Sequence, residues 1–191
     1  FHDDPCFPNG KGRTVTAHDV KYSFTRVCDT RAKTKSDTYF RDKVVGASAY
    51  YEATRVASQT GQQPSVKGVE GFVAVDDTTF QIVLEKPFAP FEYIVAQTSM
   101  GIVPKEAVEK YGENFFQHPV GSGPFSFVSW TPDRSLVLTR NPKYWHFDEH
   151  GNRLPYLDGI RYSFMRNDKM QLLEFKAGNL EESFRIANEY F

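Results

Sequence analysis

The first residues to examine for chemistry are the nucleophiles. Ser122 lies in Val120-Gly121-Ser122-Gly123-Pro124, close in letters to the G-x-S-x-G elbow that exposes a catalytic serine between a strand and a helix. Here a strand pattern follows instead of a helix, and the glycines flank the serine directly. The spacing therefore reads as a tight turn whose glycines permit positive φ. His146 and His150 stand four apart around Asp148-Glu149, a spacing that on a helix would place both imidazoles on one face for a metal. Gly151-Asn152 follow at once, and Trp145 and Phe147 keep no helical period, so a solvated polar loop is the default. His2, His18 and His118 are isolated. The carboxylate pairs Asp3-Asp4, Asp76-Asp77 and Glu181-Glu182 sit in turn or helix-start contexts, which seldom give the apolar pocket that splits two pKa values. No phosphate loop or dinucleotide fingerprint is present. No catalytic constellation, metal site or cofactor is expected. An enzyme alternative, a small hydrolase, would have to rest on Ser122 or on a metal at His146/His150.

Cys6 and Cys28 match no zinc spacing. In an oxidising compartment they could close a short loop, worth about 2–3 kcal/mol through the unfolded state. As plain thiols they would be packing residues, and the sequence leaves both readings open.

Composition sets the frame for these groups. The chain has 191 residues, 40% hydrophobic and 15% aromatic, with 17 Phe and 10 Tyr, enough apolar material for a real core. Its 23 Lys+Arg against 24 Asp+Glu give a formal charge of -1, which offers no electrostatic footprint for nucleic acid. No apolar run is long enough to span a bilayer, and no charged-then-apolar leader opens the chain. Phe1 at one end, and Glu189-Tyr190-Phe191 within an amphipathic stretch at the other, read as the ends of a piece of something longer.

The elements that must position these residues are of mixed type. Thr16 reads as an N-cap with Asp19 three residues on, and Val20, Phe24 and Val27 form one apolar stripe. A second helical stretch is expected over 42–57. A hairpin follows, with Val69, Gly71, Val73 and Val75 alternating, Asp76-Asp77 turning, and Phe80, Ile82 and Leu84 returning. A short helix should bury Phe91, Ile94 and Val95. Pro104 suits the first position of the next helix, with Gly112 just past its end. Phe125, Phe127 and Trp130 belong to a second hairpin that turns at Pro132-Asp133 and returns through Leu136 and Leu138. Residues 145–159 read as an ordered loop pinned by aromatics. Ile160, Tyr162 and Phe164 then form a strand, and Asp168 caps a helix carrying Met170, Leu173 and Phe175, stopped at Gly178. The fold class is α/β (mixed α+β), with antiparallel hairpins and flanking helices.

Taken together, several stretches resemble one family. Val15-Thr16-Ala17-His18-Asp19-Val20-Lys21-Tyr22-Ser23-Phe24-Thr25-Arg26 is similar to the early T-A-x-D-V-x-Y-S-F-x-R helix of bacterial extracellular solute-binding proteins of family 5. Val75-Asp76-Asp77-Thr78-Thr79-Phe80-Gln81-Ile82-Val83-Leu84 resembles that family's D-D-x-T-v-x-i-x-L hairpin, and Ile102-Val103-Pro104-Lys105-Glu106 its i-V-P-k-e helix start. Pro119-Val120-Gly121-Ser122-Gly123-Pro124-Phe125 is close to P-V-G-T-G-P-F, with Ser122 where Thr is usual. Leu138-Thr139-Arg140-Asn141-Pro142-Lys143-Tyr144-Trp145 resembles l-x-R-N-P-x-Y-W, and Ala177-Gly178-Asn179-Leu180 echoes a-G-e-i-D, with Glu181 where Asp is usual. The loop at 145–159 exceeds the family's usual length.

The resemblance implies part of the first lobe of a type II periplasmic-binding-protein fold, with the second lobe absent. Residues 1–118 would form a subdomain of the first lobe, and 119–191 part of its sheet with the helix that follows. It implies a non-enzymatic binder that captures a peptide or other small solute in the periplasm or on the extracellular face of the cytoplasmic membrane, lipid-anchored in some members. Delivery would be to the permease subunits of an ABC importer, and the protein would act as a monomer, with no nucleic acid partner. A disulfide between Cys6 and Cys28 would fit that compartment. Ligand contacts on this piece are expected from Gln97, Thr98, Ser99 and Met100, before the V-P-k-e helix, and from Tyr39 and Phe40.

Overall fold

The structure, a computed structural model, describes residues 1–183; the terminal Tyr190-Phe191 dyad and the stretch leading to it lie outside them. The chain divides into two compact units, Phe1–Ser122 and Gly123–Phe191.

The first unit is built on helix α1 (Ala17–Val27). Its start is held as the spacing predicts: the Thr16 N–H donates to Asp19 Oδ2 at 2.9 Å, satisfying a donor the helix itself leaves free. Phe24 is buried on the predicted stripe. The chain then passes through short 3-10 turns at Thr30–Ala32 and Asp37–Tyr39 to helix α2 (Ala47–Thr60). This helix starts five residues later than expected. Asp42 and Gly46 take positive φ, and the backbone between them is engaged elsewhere. Val45 N donates to Val83 O and Val45 O accepts from Gly71 N, so groups that a helix would need are committed to strand-like pairing.

Strands β1 (Phe72–Ala74) and β2 (Phe80–Ile82) form the predicted hairpin, with Phe72 opposite Ile82. Phe72 is fully buried while Val75 is exposed, so the core side of the hairpin carries Phe72, Phe80 and Ile82, and Val69 is buried with them just ahead of β1. Helix α3 (Phe91–Val95) presents Phe91, Ile94 and Val95 to the core as predicted. Helix α4 (Lys105–Tyr111) begins after Pro104 at the cap and ends at Gly112, with φ +51°.

Phe24, Phe40, Phe72 and Phe80 form the centre of this unit, with ring centroids 5.1–6.1 Å apart in tilted and edge-on pairs. Such pairs add to their area burial. Arg13 ties the periphery together. Its guanidinium grips Asp19 of α1 at 2.7 and 2.8 Å and Glu106 of α4 at 2.6 and 2.9 Å. A smaller cluster of Phe7, Ala107 and Val120 packs nearby.

The second unit is a three-stranded antiparallel sheet, β3 (Phe125–Thr131), β4 (Ser135–Arg140) and β5 (Gly159–Ser163), in that order. A bulge between Phe127 and Ser129 explains the odd spacing of the aromatics in β3. Phe125, Phe127 and Trp130 pair with Arg140, Leu138 and Leu136, which alternate strictly, so the extra residue returns Trp130 to the face of the two phenylalanines. Ile160 and Tyr162 extend that face through their partners Leu138 and Leu136. Helix α5 (Asp168–Lys176) is capped by Asn167, whose Oδ1 accepts from Met170 N at 3.0 Å, so Asp168 is its first residue and not its cap. Gly178, at φ +77°, follows its end as expected. Met170, Leu173 and Phe175 are exposed. No helix among the described residues is long and apolar enough to cross a membrane.

Candidate functional site

The six residues expected at the ligand sit on two loops of the first unit, both seated on the phenylalanine core. Phe40 and Met100 lie inside that core, at 0% and 4% exposure. Phe40 packs against Phe24, Phe72 and Phe91. These two side chains therefore act as feet for their loops and present nothing to solvent. Tyr39, Gln97, Thr98 and Ser99 are exposed.

The second loop is fixed at both ends. Gln97 N donates to Ile94 O at 3.1 Å, carrying on from α3, and Met100 N donates to Gln97 O at 2.9 Å. The Gln97 side-chain amide donates back to Tyr93 O at 3.1 Å. Beyond the exposed tip, Val103 is held by Ser23 of α1: Val103 N donates to Ser23 Oγ at 2.9 Å, and Ser23 Oγ donates to Val103 O at 3.2 Å. Sequence reasoning passed over Ser23, although a signal was there. It lies beside Phe24 on the inward side of the helix, and a buried hydroxyl requires partners. Between its anchors the loop offers only neutral groups, the hydroxyls of Thr98 and Ser99 and the Gln97 amide. That chemistry is suited to hydrogen-bonding an uncharged polar surface such as a peptide backbone.

The groups considered for catalysis do not converge. Ser122 is exposed in the stretch leading into β3, with no helix after it. His146 lines a groove in the second unit, whereas His150 faces solvent beside Glu149 at 3.6 Å. Asp148 organises the loop that separates them. Its Oδ1 accepts from His150 N and Asn152 N, and its Oδ2 from Asn152 Nδ2 at 2.9 Å and Tyr156 Oη at 2.6 Å. The Tyr156 and Asn152 hydrogen bonds, with those of the two backbone amides, hold its pKa at about 2. A carboxylate with both oxygens so occupied has little left for a metal. Asp76 is likewise a turn residue, accepting from Thr78 N, Thr78 Oγ1 and Thr79 N and held at about 2 by those bonds. Asp4 accepts from Cys6 N and Tyr111 Oη. Among the described residues no three His, Cys, Asp or Glu side chains come together as a metal site.

The structure leaves Cys6 and Cys28 as free thiols, in place of the loop closure considered from sequence. The reason is packing: Cys28 is fully buried in the phenylalanine core, while Cys6 packs with the separate Phe7 cluster. Burial pushes both up to about 12, with Asp4 adding to the effect at Cys6 and Asp37 at Cys28.

The second unit carries an open apolar groove of about 370 Å³, lined by Pro124, Phe125, Tyr144, His146 and Leu154–Leu157. The hydrogen bond from Tyr156 to Asp148 fixes one of its walls.

The family described as bacterial extracellular solute-binding proteins, family 5 Middle, matches residues 3–186. The periplasmic oligopeptide-binding protein OppA of Salmonella typhimurium is 26% identical over 175 residues, 91% of this chain and 30% of that protein. The glutathione-binding protein GsiB of Escherichia coli O1:K1 / APEC is 28% identical over 123 residues, 64% of this chain and 23% of that protein. Among solved structures, Haemophilus influenzae OppA in complex with RPPGFSPFR superposes with a TM-score of 0.75 at 22% identity, covering 94% of this chain and 33% of that one. The chain thus spans about a third or less of the length of these relatives.

Proposed function

The chain belongs to the bacterial extracellular solute-binding proteins of family 5, and on that premise we propose that it forms part of a peptide-capturing component of an ABC importer. The first unit is read as a subdomain of the first lobe of a type II periplasmic-binding-protein fold, and the second as part of that lobe's sheet. The family match across residues 3–186 carries this reading. The neutral hydrogen-bonding loop at Gln97–Ser99 supports it. Capture of many peptides through one site requires recognition of the shared backbone, which needs uncharged donors and acceptors and room for side chains. Tyr39 and the Gln97–Ser99 tip are the contacts proposed on this chain, with Phe40 and Met100 setting their position from the core. No bond is made or broken. The protein works as a monomer in the periplasm or on the extracellular face of the cytoplasmic membrane, and hands its peptide to membrane permease subunits.

The test is retention of peptides from a mixed tripeptide pool by the full-length protein, followed by calorimetric titration of the best-retained peptide. Removing both tip hydroxyls, with Thr98→Ala and Ser99→Ala together, should weaken that affinity about fivefold or more, given about 0.5–1.5 kcal/mol per hydrogen bond. Retention of no peptide from the pool would refute the reading, and an unchanged affinity in the double variant would remove the tip from the site.

A further inference from the structure

Ser23 is a buried polar residue, 3% exposed, on the apolar side of α1. Helix α1 does not need its hydroxyl, since alanine is the better former in a helix interior. The hydroxyl is used across 80 residues of sequence, where it exchanges two hydrogen bonds with the backbone of Val103, accepting from N–H at 2.9 Å and donating to C=O at 3.2 Å. One hydroxyl has one proton and two lone pairs, so a single side chain can pair with a residue as a neighbouring strand would. Val103 stands at the exit of the exposed tip. The tip contains only one short 3-10 turn, Thr98–Met100, and so its position depends on its anchors. These are α3 at the entry, the buried Met100 side chain beneath, and Ser23 at the exit. Three residues further on, Glu106 is tied to α1 separately through Arg13 and Asp19, which keeps α4 in place if the Ser23 bonds are lost.

We propose that Ser23 is a positioning residue for ligand capture, holding the Gln97–Val103 backbone so that its neutral tip meets the peptide in a fixed register. This rests on the peptide-capture reading and adds to it a residue that never touches the ligand. Hydrogen exchange without ligand, and affinity for the tripeptide best retained by wild type, are measured on the full-length protein. The variants are Ser23→Ala, Ser23→Thr and Thr54→Val. Thr54 serves as the matched control: it is fully buried, and its hydroxyl accepts from Thr30 and donates to Tyr51 O.

The expected result for Ser23→Ala is amide exchange at 98–103 about tenfold faster and affinity about fivefold weaker or more. Ser23→Thr restores both, and Thr54→Val changes neither. The proposal is overturned by unchanged exchange at 98–103, by faster exchange with unchanged affinity, by a Thr54→Val variant that loses affinity equally, or by a Ser23→Ala protein that does not fold. A wild type that retains no peptide sinks the peptide-capture reading itself and this proposal with it, a failure seen before any variant is compared.

Discussion

Replacing Arg13 by methionine should cost about 2–3 kcal/mol at neutral pH, and the number follows from where the charges sit. Methionine keeps an unbranched apolar stem beside Phe1 and Phe7, whose rings the guanidinium faces at 5.4 and 6.0 Å, and removes the charge. Asp19 is then left as a carboxylate with its side chain only 5% exposed. Breaking a fully buried pair in this way costs about 3–5 kcal/mol, and an exposed pair about 0–1. Arg13 itself is 38% exposed, so water screens part of the interaction and the cost falls between these limits. Glu106 is 33% exposed and can be rehydrated, so Glu106→Gln should cost no more than about 1 kcal/mol.

The pH dependence separates this account from simple loss of packing. Burial by itself would raise the Asp19 pKa, but hydrogen bonds from Arg13 and Thr16 outweigh it and hold the carboxyl below its usual value. Its stabilisation is therefore complete above the ordinary carboxylate range and is lost as pH falls through the depressed native value. In Arg13→Met the largest opposing contribution is gone, burial gains weight, and protonation relieves the variant. The gap between wild type and variant should narrow from pH 7 towards pH 2.5. Urea unfolding followed by circular dichroism measures it, and the thermal midpoint should drop by about 5–10 °C. An Arg13→Met chain within about 0.5 kcal/mol of wild type, a Glu106→Gln cost equal to that of Arg13→Met, or a gap independent of pH would refute the reasoning.

Phe72→Ala, which empties the centre of the phenylalanine cluster, should lose about 3–5 kcal/mol by the same urea assay, whereas Val75→Ala on the opposite face should be near neutral. Gly71→Ala should also destabilise strongly, because a Cβ there would meet Val83 O at 2.7 Å and Val44 Cγ1 at 2.8 Å; a normal unfolding midpoint would show that the hairpin can yield. Both thiols should resist alkylation in the native chain and react fully in denaturant without reductant, as mass spectrometry can show; a requirement for reductant would establish a disulfide. The loop around Asp148, whose carboxyl sits at about 2, should keep its order above the usual carboxylate range and lose it only as pH falls towards 2, read by fluorescence of the nearby Trp145.

Local features were legible wherever the signal and the structure share the same few residues. The Thr16–Asp19 cap, the Asp76 turn, the Gly112 and Gly178 helix ends and the inward side of α3 all depend on neighbours within a turn or two. Misreadings arose where distant backbone competed. The α2 start was predicted too early because Val44 and Val45, β-branched and weak helix formers, commit their backbone to Leu84, Val83 and Gly71 instead. In the first hairpin the alternation marked the strands, but which face is buried was decided by α1, whose Phe24 packs on Phe72. Trp130 was placed with Phe125 and Phe127, and the bulge supplies the extra residue that brings it to their face. At the candidate site, the family resemblance pointed to two loops, but Phe40 and Met100 could not be told from surface contacts by type alone, since an aromatic or methionine serves equally well in a core or a cleft.

What the sequence determined by itself was the class of elements, their order, the absence of a catalytic spacing and, through several weak motifs in one order, the family. These are encoded in residue type and short spacing, which survive without knowledge of the fold. The tertiary structure decided which side chains face inward, that Cys6 and Cys28 belong to separate clusters, that Arg13 joins Asp19 to Glu106, and that Ser23 holds Val103. Each of these is a contact between residues far apart in the chain. Such contacts are fixed by which surfaces bury the most apolar area and leave no buried polar group unpaired, and no local pattern carries that information.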